Sequence, residues 1–418
     1  MSNMYEYAKE QYAEIGVDVE SALEKLKKIS LSVHCWQGDD VGGFETPDST
    51  LSGGGIQVTG NYPGKASNPD ELKKDLKKMY SLLPGKHRLN LHAIYGDFQG
   101  KKVDRNEIEV KHFQSWADWG RENKIKLDFN GTFFSHPMAD SGFTLSSKDK
   151  SIREFWIEHA DRAREITAFF GKEQGSPSVH NLWIPDGAKD NVVCRMDHRT
   201  ILKESLDKIY SHEFNDKEIR DAVECKLFGI GSESYVVGSH EFYMGYALSR
   251  NKLLCLDMGH FHPTESVADK ISSVYQYLDE ILLHVSRPVR WDSDHVVTLG
   301  DEIHALMQEL VRSGKIDNTY IGLDFFDGTL NRIGAWAVGA RASLKGILYA
   351  LLEPYSRLKS FEEEGNNFGR LALLEESKTK PFGIIWDHYC REAGTITDRE
   401  LIDNVMAYEK VELSGRKS

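Results

Sequence analysis

Acids and a histidine stand where several short apolar runs of this chain end. In residues 282–297, LLHVSRPVRWDSDHVV, the apolar run stops at His284, and Asp292 and Asp294 follow in the next segment. Three other apolar runs end close to an acid: Glu224, Asp257 and Asp324. Carboxylates together with an imidazole are typical ligands of divalent cations. Metal binding is therefore the first chemistry that these residues suggest.

The elements that must position these side chains follow from a repeating pattern along the chain. Short apolar or β-branched runs occupy residues 29–36, 88–95, 125–130, 179–185, 222–228, 253–259, 281–286 and 320–326. The longer segments between them show helix signals, such as Asn68 as an N-cap followed by Pro69 at the first helical position. Alternating strands and helices predict an α/β protein with a parallel sheet, and eight such units predict a closed (β/α)₈ TIM barrel.

We predict that residues 1–353 form this barrel together with an N-terminal helix. Residues 354–418 are expected to form a C-terminal helical extension, packed on the barrel or on a neighbouring subunit. In such a barrel the carboxyl ends of all strands face the active site. Polar or aromatic residues stand near all eight of these ends: His34, Trp36, His92, Asp128, Asn130, Trp183, Asp186, Glu224, Lys226, Asp257, His260, His284, Asp292, Asp294 and Asp324.

Four consecutive strands, the fifth to the eighth, each supply one metal-type ligand: Glu224, Asp257, His284 and Asp324. Three carboxylates in one pocket raise one another's pKa, and a divalent cation removes that cost. Oxygen-rich ligation with one imidazole favours Mn²⁺ or Mg²⁺ over a structural zinc site. A second ion would use His260, Asp292 and Asp294, with Glu224 as a candidate bridge. The alternative is that each residue caps a loop or lies on the surface. This is common for a polar residue at a single strand end, but it does not readily explain polar or aromatic residues at all eight ends.

The bulk composition excludes several classes of function. The 418 residues carry a formal net charge of −13, which repels nucleic-acid backbones, and the lysines of ELKKDLKKMY alternate with acids as on a solvated helix face. The five scattered cysteines predict reduced thiols. No apolar run approaches the ~18 residues of a membrane span. We therefore expect a cytoplasmic protein without nucleic-acid or membrane partners.

Two further features allow more than one interpretation. The glycines of SGGGIQVTG predict a flexible lid or turn rather than a phosphate-binding loop, because no lysine follows in the required order. Several aromatic residues near the strand ends are candidates for a sugar pocket and equally for the core: Trp36, Tyr95, Phe133, Phe134 and Trp183.

Seven longer motifs resemble those of bacterial L-rhamnose isomerase: HCWQGDD, NLHAIY, NLWIPDG, ECKLFGIGSESY, GHFHPTE, HVSRPVRWDSDHVV and IGLDFFD. The likeness runs from about residue 5 to the C-terminal AYEK. It implies interconversion of L-rhamnose and L-rhamnulose in a cytoplasmic homotetramer of (β/α)₈ barrels acting in L-rhamnose catabolism. It also implies two Mn²⁺ ions, with Co²⁺, Zn²⁺ or Mg²⁺ as alternatives. The family's tight structural metal maps onto Glu224, Asp257, His284 and Asp324, and its catalytic metal onto His260, Asp292 and Asp294.

The resemblance also implies roles for residues near the sugar. Lys226 would contact the sugar near its reacting carbons, and His92 would handle the ring oxygen or O1. On the mechanistic hypothesis given below, Asp324 or a water beside it would assist ring opening. The expected substrate-binding residues are Trp36, Ile94, Phe134 and Trp183, with Ile94 against the C6 methyl group. Two departures from the family pattern lie in loops, namely Gly131, where proline is usual, and a triple glycine at 53–55, where two glycines are usual.

For the reaction itself, the hypothesis is a direct hydride shift between C1 and C2 assisted by two metals. The alternative is an enediol route, in which a carboxylate removes the proton from C2. Other functions for the same fold are a ketose 3-epimerase, which needs a pair of glutamates where these strand ends offer only Glu224, and a multi-metal endonuclease, which the acidic charge disfavours. From a different class, a non-catalytic metal-dependent scaffold would need a pocket closed to ligands.

Overall fold

Eight parallel strands form a closed barrel, as the alternation of apolar runs predicts. The computed structural model describes residues 2–45, 58–228 and 231–416, so the triple glycine at 53–55 lies outside the described residues. The barrel strands are β1 Leu31–His34, β2 Arg88–His92, β3 Lys126–Asn130, β4 Ser178–Leu182, β5 Ile219–Glu224, β6 Leu253–Asp257, β7 Ile281–Val285 and β8 Thr319–Leu323. Each strand pairs with its neighbours in the chain, and β8 pairs with β1 to close the ring.

Helices connect the strands on the outside of this barrel. They are α1 Ser2–Ala13, α2 Val19–Leu26, α3 Pro69–Ser81, α4 Gln114–Asn123, α5 Lys150–Gln174, α6 Arg195–Tyr210, α7 His240–Arg250, α8 Ala268–Val274, α9 Asp301–Arg312 and α10 Arg332–Leu351. The N-terminus of α3 has the predicted cap, since Asn68 accepts a hydrogen bond from the backbone of Glu71 and Pro69 begins the helix. Among the described helices, none is both long and apolar enough to cross a lipid bilayer.

The residues after α10 form four further helices that pack beside the barrel. These are α11 Tyr355–Glu363, α12 Asn367–Ser377, α13 Phe382–Glu392 and α14 Asp398–Tyr408. The buried guanidinium of Arg341, on α10, joins them to the rest of the chain. It donates to the backbone oxygens of Leu82 and Ile396 and to the carboxylate of Asp398. A buried guanidinium with its donors satisfied holds three segments together with fixed geometry.

The register of the strands places the ligand residues of β6 and β7 level with each other, and the end of β5 two residues lower. Glu224 lies opposite Cys255, and Asp257 lies opposite His284. On β8, Gly322 is the partner of His284, and its missing side chain leaves room for the imidazole, because a Cβ there would lie 3.1 Å from the ring. Since side chains alternate between the two faces of a strand, this register places the acids and the histidine inside the barrel.

Two strand predictions need correction. The fifth strand was expected over 222–228 but ends at Glu224. Beyond it, the backbone of Lys226 donates to Gly238, and Tyr235–Val236 of the same loop pair with Gly187–Ala188 of the loop after β4. Cys225 and Lys226 are buried although they lie beyond the strand, whereas Leu227 is exposed.

Asp128 was expected to stand at the active-site end of the third strand, and this prediction is wrong. Asp128 lies in the middle of β3 and accepts hydrogen bonds from Arg88 Nε at 2.8 Å and Ser32 Oγ at 2.6 Å. The inward-facing residue nearer the carboxyl end is Asn130, two positions later. Asp128 and Arg88 form a buried ion pair toward the beginning of the strands.

Candidate metal centre

Four buried or half-buried ligands converge at the carboxyl end of the barrel. Glu224, Asp257, His284 and Asp324 each offer one ligand atom, and these atoms all lie within 4.8 Å of one another. The Nδ1 atom of His284 lies 3.2 Å from Glu224 Oε1, 3.1 Å from Asp324 Oδ2 and 3.6 Å from Asp257 Oδ2. The structure therefore brings together the four residues predicted for the first metal.

The electrostatics of this group suit a bound cation. Burial raises the pKa of Asp257 to about 6. Burial alone would lower the pKa of His284, but the nearby Cys255, Glu224, Asp257 and Asp324 raise it well above its usual range. Asp257 Oδ2 is buried without a hydrogen-bond partner among the described residues. Clustered acids that attract protons this strongly attract a divalent cation by the same electrostatic force.

A second group shares one ligand with the first. Asp257, His260 and Asp292 place ligand atoms within 4.8 Å of one another. His260 lies between two acids, with Nε2 3.3 Å from Asp292 Oδ2 and Nδ1 3.2 Å from Glu224 Oε1. Glu224 Oε1 thus lies 3.2 Å from both His260 and His284, as expected of a bridging ligand.

Asp294, the third residue predicted for the second metal, lines the same cavity outside this tight group. Its backbone has a positive φ of 44°, and its carbonyl accepts a hydrogen bond from Phe326 at 3.0 Å. Burial, reinforced by the neighbouring Asp292, raises the pKa of Asp294 well above its usual value. The predicted set of His260, Asp292 and Asp294 is therefore assembled in part, and Asp257 takes a place within the tight group.

The loop after β7 curls back over the strand ends, and this fold brings Asp292 to the centre. The backbone of Arg287 donates to His295 at 3.0 Å, and the backbone of Val289 donates to Ser293 Oγ at 2.9 Å. These bonds close a compact turn between positions 287 and 295. Two acids two positions apart in the sequence thereby reach one cavity.

Lys226 reaches the centre from the loop after β5. Its Nζ donates to Asp292 Oδ2 at 2.7 Å and lies 4.8 Å from the centre of the Trp183 ring. Burial would lower the pKa of Lys226, but the attraction of Asp292 raises it overall. The ammonium group is therefore cationic at neutral pH, although it is only 4% exposed.

His92 is held in the opposite wall as a neutral imidazole. Burial, together with the nearby Arg105, lowers its pKa to about 3. Its Nδ1 lies 3.0 Å from Thr132 Oγ1, and Asn130 Nδ2 lies 3.3 Å from its Nε2. These two contacts fix the plane of the ring, which lines the cavity beside the metal ligands.

Aromatic rings form one wall of the cavity. Trp36 and Phe134 pack edge to face against His92, with ring centres 4.8 and 5.8 Å away, and Phe134 lies 5.8 Å from Trp183. Trp36 also donates from Nε1 to Asp324 Oδ1 at 3.1 Å. Three of the predicted substrate-binding residues therefore line the cavity and orient its polar groups.

Other candidates for the pocket lie behind it. Ile94 is covered by Gly43 and Phe44 and is absent from the cavity wall as far as the chain is described, where Val41 and Phe326 supply the apolar surface. Tyr95 donates its hydroxyl to Asp39 at 2.6 Å in the core. Phe133 packs against Trp156 and His159. Gly131 lines the cavity, and a Cβ there would lie 2.7 Å from the Phe133 ring.

Two polar residues near the predicted strand ends have structural contacts instead. Asp186 accepts four hydrogen bonds from the backbone and hydroxyl groups of Thr144 and Ser146, and so caps a loop. His34 is fully buried, with its ring 4.4 Å from that of Phe325, and burial lowers its pKa to about 3.

Asn181 is a residue of the site that the sequence analysis missed. Its Nδ2 donates to Glu224 Oε2, and its side chain lines the cavity. The sequence VHNLW could have revealed it, because side chains two positions apart on a strand face the same side. Asn181 lies two positions after the inward-facing Val179. An inward polar residue beside an acid on the next strand indicates a hydrogen bond that orients a ligand.

Comparison with known proteins gives a consistent result over nearly the whole chain. Residues 1–416 match the family model for L-rhamnose isomerase (RhaA). The chain is 57% identical over 412 residues to L-rhamnose isomerase of Rhodopirellula baltica, covering 99% of this chain and 96% of that protein. It is 54% identical over 416 residues to the enzyme of Enterobacter sp. (strain 638), covering 100% and 99%. It is 53% identical over 410 residues to the enzyme of Listeria innocua, covering 98% and 97%.

Proposed function

This chain belongs to the L-rhamnose isomerase family, and from that premise we propose that it interconverts L-rhamnose and L-rhamnulose by a hydride shift between C1 and C2 at a two-metal centre. The family membership makes the protein an isomerase. The observation that carries the proposal is the convergence of two ligand groups, sharing Asp257, in one cavity that also contains Lys226 and His92.

The residues fit a pair of divalent ions. The first group offers three carboxylates and one imidazole, and the second offers two carboxylates and one imidazole. Such oxygen-rich sets suit Mn²⁺, with Mg²⁺, Co²⁺ and Zn²⁺ as alternatives. The buried and unpartnered Asp257 Oδ2 has the position of a ligand atom. When bound, divalent ions polarise the carbonyl and neighbouring hydroxyl oxygens of an opened sugar.

Lys226 is the side chain proposed to place a positive charge near the reacting carbons of the sugar. Its ammonium group stays cationic beside Asp292 and is held over the face of Trp183. A fixed cation in a buried site stabilises negative charge developing on O1 more strongly than it would in bulk solvent. Lys226 is thus proposed to lower the energy of the transition state while Trp183 restricts the position of its side chain.

The aromatic wall favours transfer of hydrogen without exchange with water. Trp36, Phe134 and Trp183 form one side of the cavity, where Trp36 also contacts Asp324. His92 is neutral and is oriented by Thr132 and Asn130, and it is proposed to form a hydrogen bond with the ring oxygen or O1 of the sugar. Asp324 is held by Trp36 and is proposed to assist ring opening. A cavity with an aromatic wall and prepositioned polar groups suits a direct shift between adjacent carbons.

Isomerisation in D₂O separates the hydride shift from the enediol route. A direct shift leaves L-rhamnulose essentially without solvent deuterium at C1, as measured by NMR or mass spectrometry of the product. Substantial deuterium at C1 would reject the shift and favour proton removal by a carboxylate. The enzyme would still be an isomerase in that case.

A metal requirement is the direct test of the proposed centre. Chelation should abolish conversion of L-rhamnose, and Mn²⁺ should restore it. Asp324→Asn should weaken restoration because it removes one anionic ligand, whereas Asp317→Asn, at the opposite end of the barrel, should leave it unchanged. Full activity after verified removal of metal would contradict the proposal.

Among the described residues that line the cavity, Glu224 is the sole glutamate, which disfavours a 3-epimerase with paired glutamates.

We further propose a cytoplasmic homotetramer that acts in L-rhamnose catabolism without nucleic-acid or membrane partners. The support is family membership and the exposed apolar residues of the C-terminal helices and the turn that follows them. Phe368, Ile402 and Val411 are 82%, 73% and 76% exposed in the single chain. Apolar residues exposed to this extent favour contact with another subunit. Light scattering coupled to size-exclusion chromatography measures the number of subunits, and a monomeric mass would contradict this proposal.

A further inference from the structure

One thiol lies directly beside the ligands of the first metal group. Cys255 Sγ, a carboxylate oxygen of Glu224 and a ring nitrogen of His284 all lie within 4.8 Å of one another. Cys255 is two positions before Asp257 on β6, so both side chains point into the barrel, and its register partner is Glu224. The thiol therefore lies one layer deeper in the barrel than Asp257.

The immediate neighbours of this thiol on the adjoining strands form an apolar cluster. Cys255 packs in a cluster with Val179, Ala222, Leu253 and Leu282 and is fully buried. The polar groups beside it are the same Glu224 and His284 that serve the oxygen-rich group. Cys255 thus forms the floor of the metal centre, between the ligands above and this apolar cluster.

A thiolate differs from carboxylates in the ions that it selects. Soft sulfur ligands favour Zn²⁺, Cd²⁺ and similar thiophilic ions, whereas Mn²⁺ and Mg²⁺ favour oxygen. One sulfur, one imidazole nitrogen and one carboxylate oxygen make a set that suits Zn²⁺. The centre therefore contains two overlapping sets that share Glu224 and His284: an oxygen-rich set completed by Asp257 and Asp324, and a sulfur-containing set completed by Cys255.

We propose that Glu224, Cys255 and His284 form a distinct site for thiophilic divalent cations at the floor of the metal centre. Binding breaks the S–H bond and forms a metal–sulfur bond, and the thiol proton goes to solvent. The proton that His284 carries in the metal-free centre is also displaced to solvent, and no oxidation state changes. Because two ligands are shared, an ion in this site excludes an ion from the oxygen-rich site. Cd²⁺ should therefore compete with Mn²⁺ and lower isomerase activity. This inference rests on the proposed metal centre, but its test does not require turnover of sugar.

The test is a titration of the metal-free protein with Cd²⁺, followed by the ultraviolet charge-transfer absorption of a cadmium–thiolate bond. The matched control is Cys225→Ser, because Cys225 is also a fully buried thiol but follows the inward-facing Glu224 and lies outside the ligand groups. We expect the band in the unaltered protein and in Cys225→Ser, and its loss in Cys255→Ser. The affinity for Cd²⁺ should fall at least about tenfold in Cys255→Ser, the scale on which losing a supporting group weakens metal sites.

Two further measurements make the outcome decisive. Mn²⁺ affinity, measured by electron paramagnetic resonance, should change less than about twofold in Cys255→Ser, because Mn²⁺ has little preference for sulfur. Cys255→Ala, which keeps the floor apolar, provides the same comparison if serine disturbs folding. Proton release on Cd²⁺ binding should be one proton lower in either Cys255 variant.

A cadmium–thiolate band that persists in both Cys255 variants, or that is absent from the unaltered protein, would overturn the assignment of Cys255. The result is separate from the proposed function. If the protein shows the Cys255-dependent band but does not isomerise L-rhamnose, the proposed function is wrong and the Cys255 site stands. If the protein isomerises L-rhamnose but shows no band, the Cys255 site is wrong and the proposed function stands.

Discussion

At the scale of single residues, His284 explains why three acids can share one cavity. Its Nδ1 atom faces Glu224, Asp257 and Asp324 at 3.1–3.6 Å, and Gly322 leaves the space that the ring needs. In the absence of an ion, protons compensate part of this negative charge, which is why the pKa of His284 lies so high despite burial. The same compensation by a divalent ion makes the group a metal site.

The first residue-scale prediction concerns Lys226. Lys226→Met keeps the stem that packs on Trp183 but removes the cation beside Asp292. We expect kcat for L-rhamnose to fall about 10²–10³-fold with a smaller change in KM, because the charge acts mainly in the transition state. Lys126→Met, which changes an exposed lysine at the other end of the barrel, is the control for steady-state kinetics. Equal effects of both changes would contradict the role of Lys226.

The second residue-scale prediction concerns Asn181. Asn181→Ala removes the donor to Glu224 Oε2 and leaves that oxygen free to turn. We expect Mn²⁺ affinity, measured by equilibrium dialysis, to fall about 10–100-fold, as when groups that orient ligands are lost elsewhere. Asn90→Ala alters another buried inward amide, farther from the ligands and on β2, and should leave the affinity near its original value. An unchanged affinity in Asn181→Ala would remove this residue from the site.

The ligands of the first metal could be predicted from the sequence because each one closes an apolar run, and a barrel directs all such ends to one place. The distribution of ligands between the two groups could not. Asp257 joins both groups, and Asp294 lies outside the tight one, because the loop after β7 turns at positions whose φ is positive: Arg290 and Asp294. Left-handed conformations at residues other than glycine have no strong local sequence signal.

At the scale of elements, the sequence predicted all eight strands and misplaced some of their ends. Lys226 was placed in the fifth strand, yet it lies in a loop whose backbone bonds go to Gly238. Apolar content indicates burial, and buried loops share it with strands. Asp128 belongs to a short run whose length does not reveal where the strand begins and ends. Its position in the middle of the five-residue strand β3 places its side chain away from the active-site end.

Arg164 offers a prediction at this scale, because it joins α5 to β5 and to the end of α6. Its guanidinium donates twice to Asp221, at 2.9 Å, and to the backbone of Ile209 at 2.7 Å. Arg164→Met should lower the free energy of unfolding by about 3–5 kcal/mol, because it leaves Asp221 buried with reduced compensation. Arg162→Met, on the outer side of the same helix, should change it by less than about 0.5 kcal/mol. Denaturant unfolding measures both, and a small effect of Arg164→Met would contradict this assignment.

Asp221 also gives this part of the fold a pH dependence. Burial opposes its ionisation, but His180, Arg164 and Lys252 more than offset that and lower its pKa well below the ordinary 3.8. A carboxylate with a lowered folded-state pKa stabilises the fold fully above its unfolded pKa, and this contribution declines as the pH falls. The unfolding free-energy difference between the unaltered protein and Asp221→Asn should therefore be constant near neutrality and begin to shrink below about pH 4. A difference that grows on acidification would contradict the ion pair.

At the scale of the whole molecule, metal, cavity and fold are linked through the barrel end. The ligands come from four adjacent strands, so an ion that they share connects β5 to β8 across the part of the ring where the acids repel one another. An overall charge of −13 adds a general attraction for cations and repulsion of anionic ligands. Loss of the ion should therefore weaken the global fold in addition to the reaction.

Thermal unfolding with and without metal tests this link. Because Mn²⁺ binds the assembled ligands and not the separated ones, a concentration about 100 times its Kd should add about 2.7 kcal/mol to the stability and raise Tm by several degrees. Glu224→Gln should lose most of this increase, since Glu224 contacts both histidines, whereas Glu280→Gln, at the start of β7, should keep it. Scanning calorimetry at one fixed heating rate gives the comparison. An increase in Tm of the same size in Glu224→Gln would place the stabilising ion elsewhere on the molecule and separate the stability of the barrel from the proposed centre.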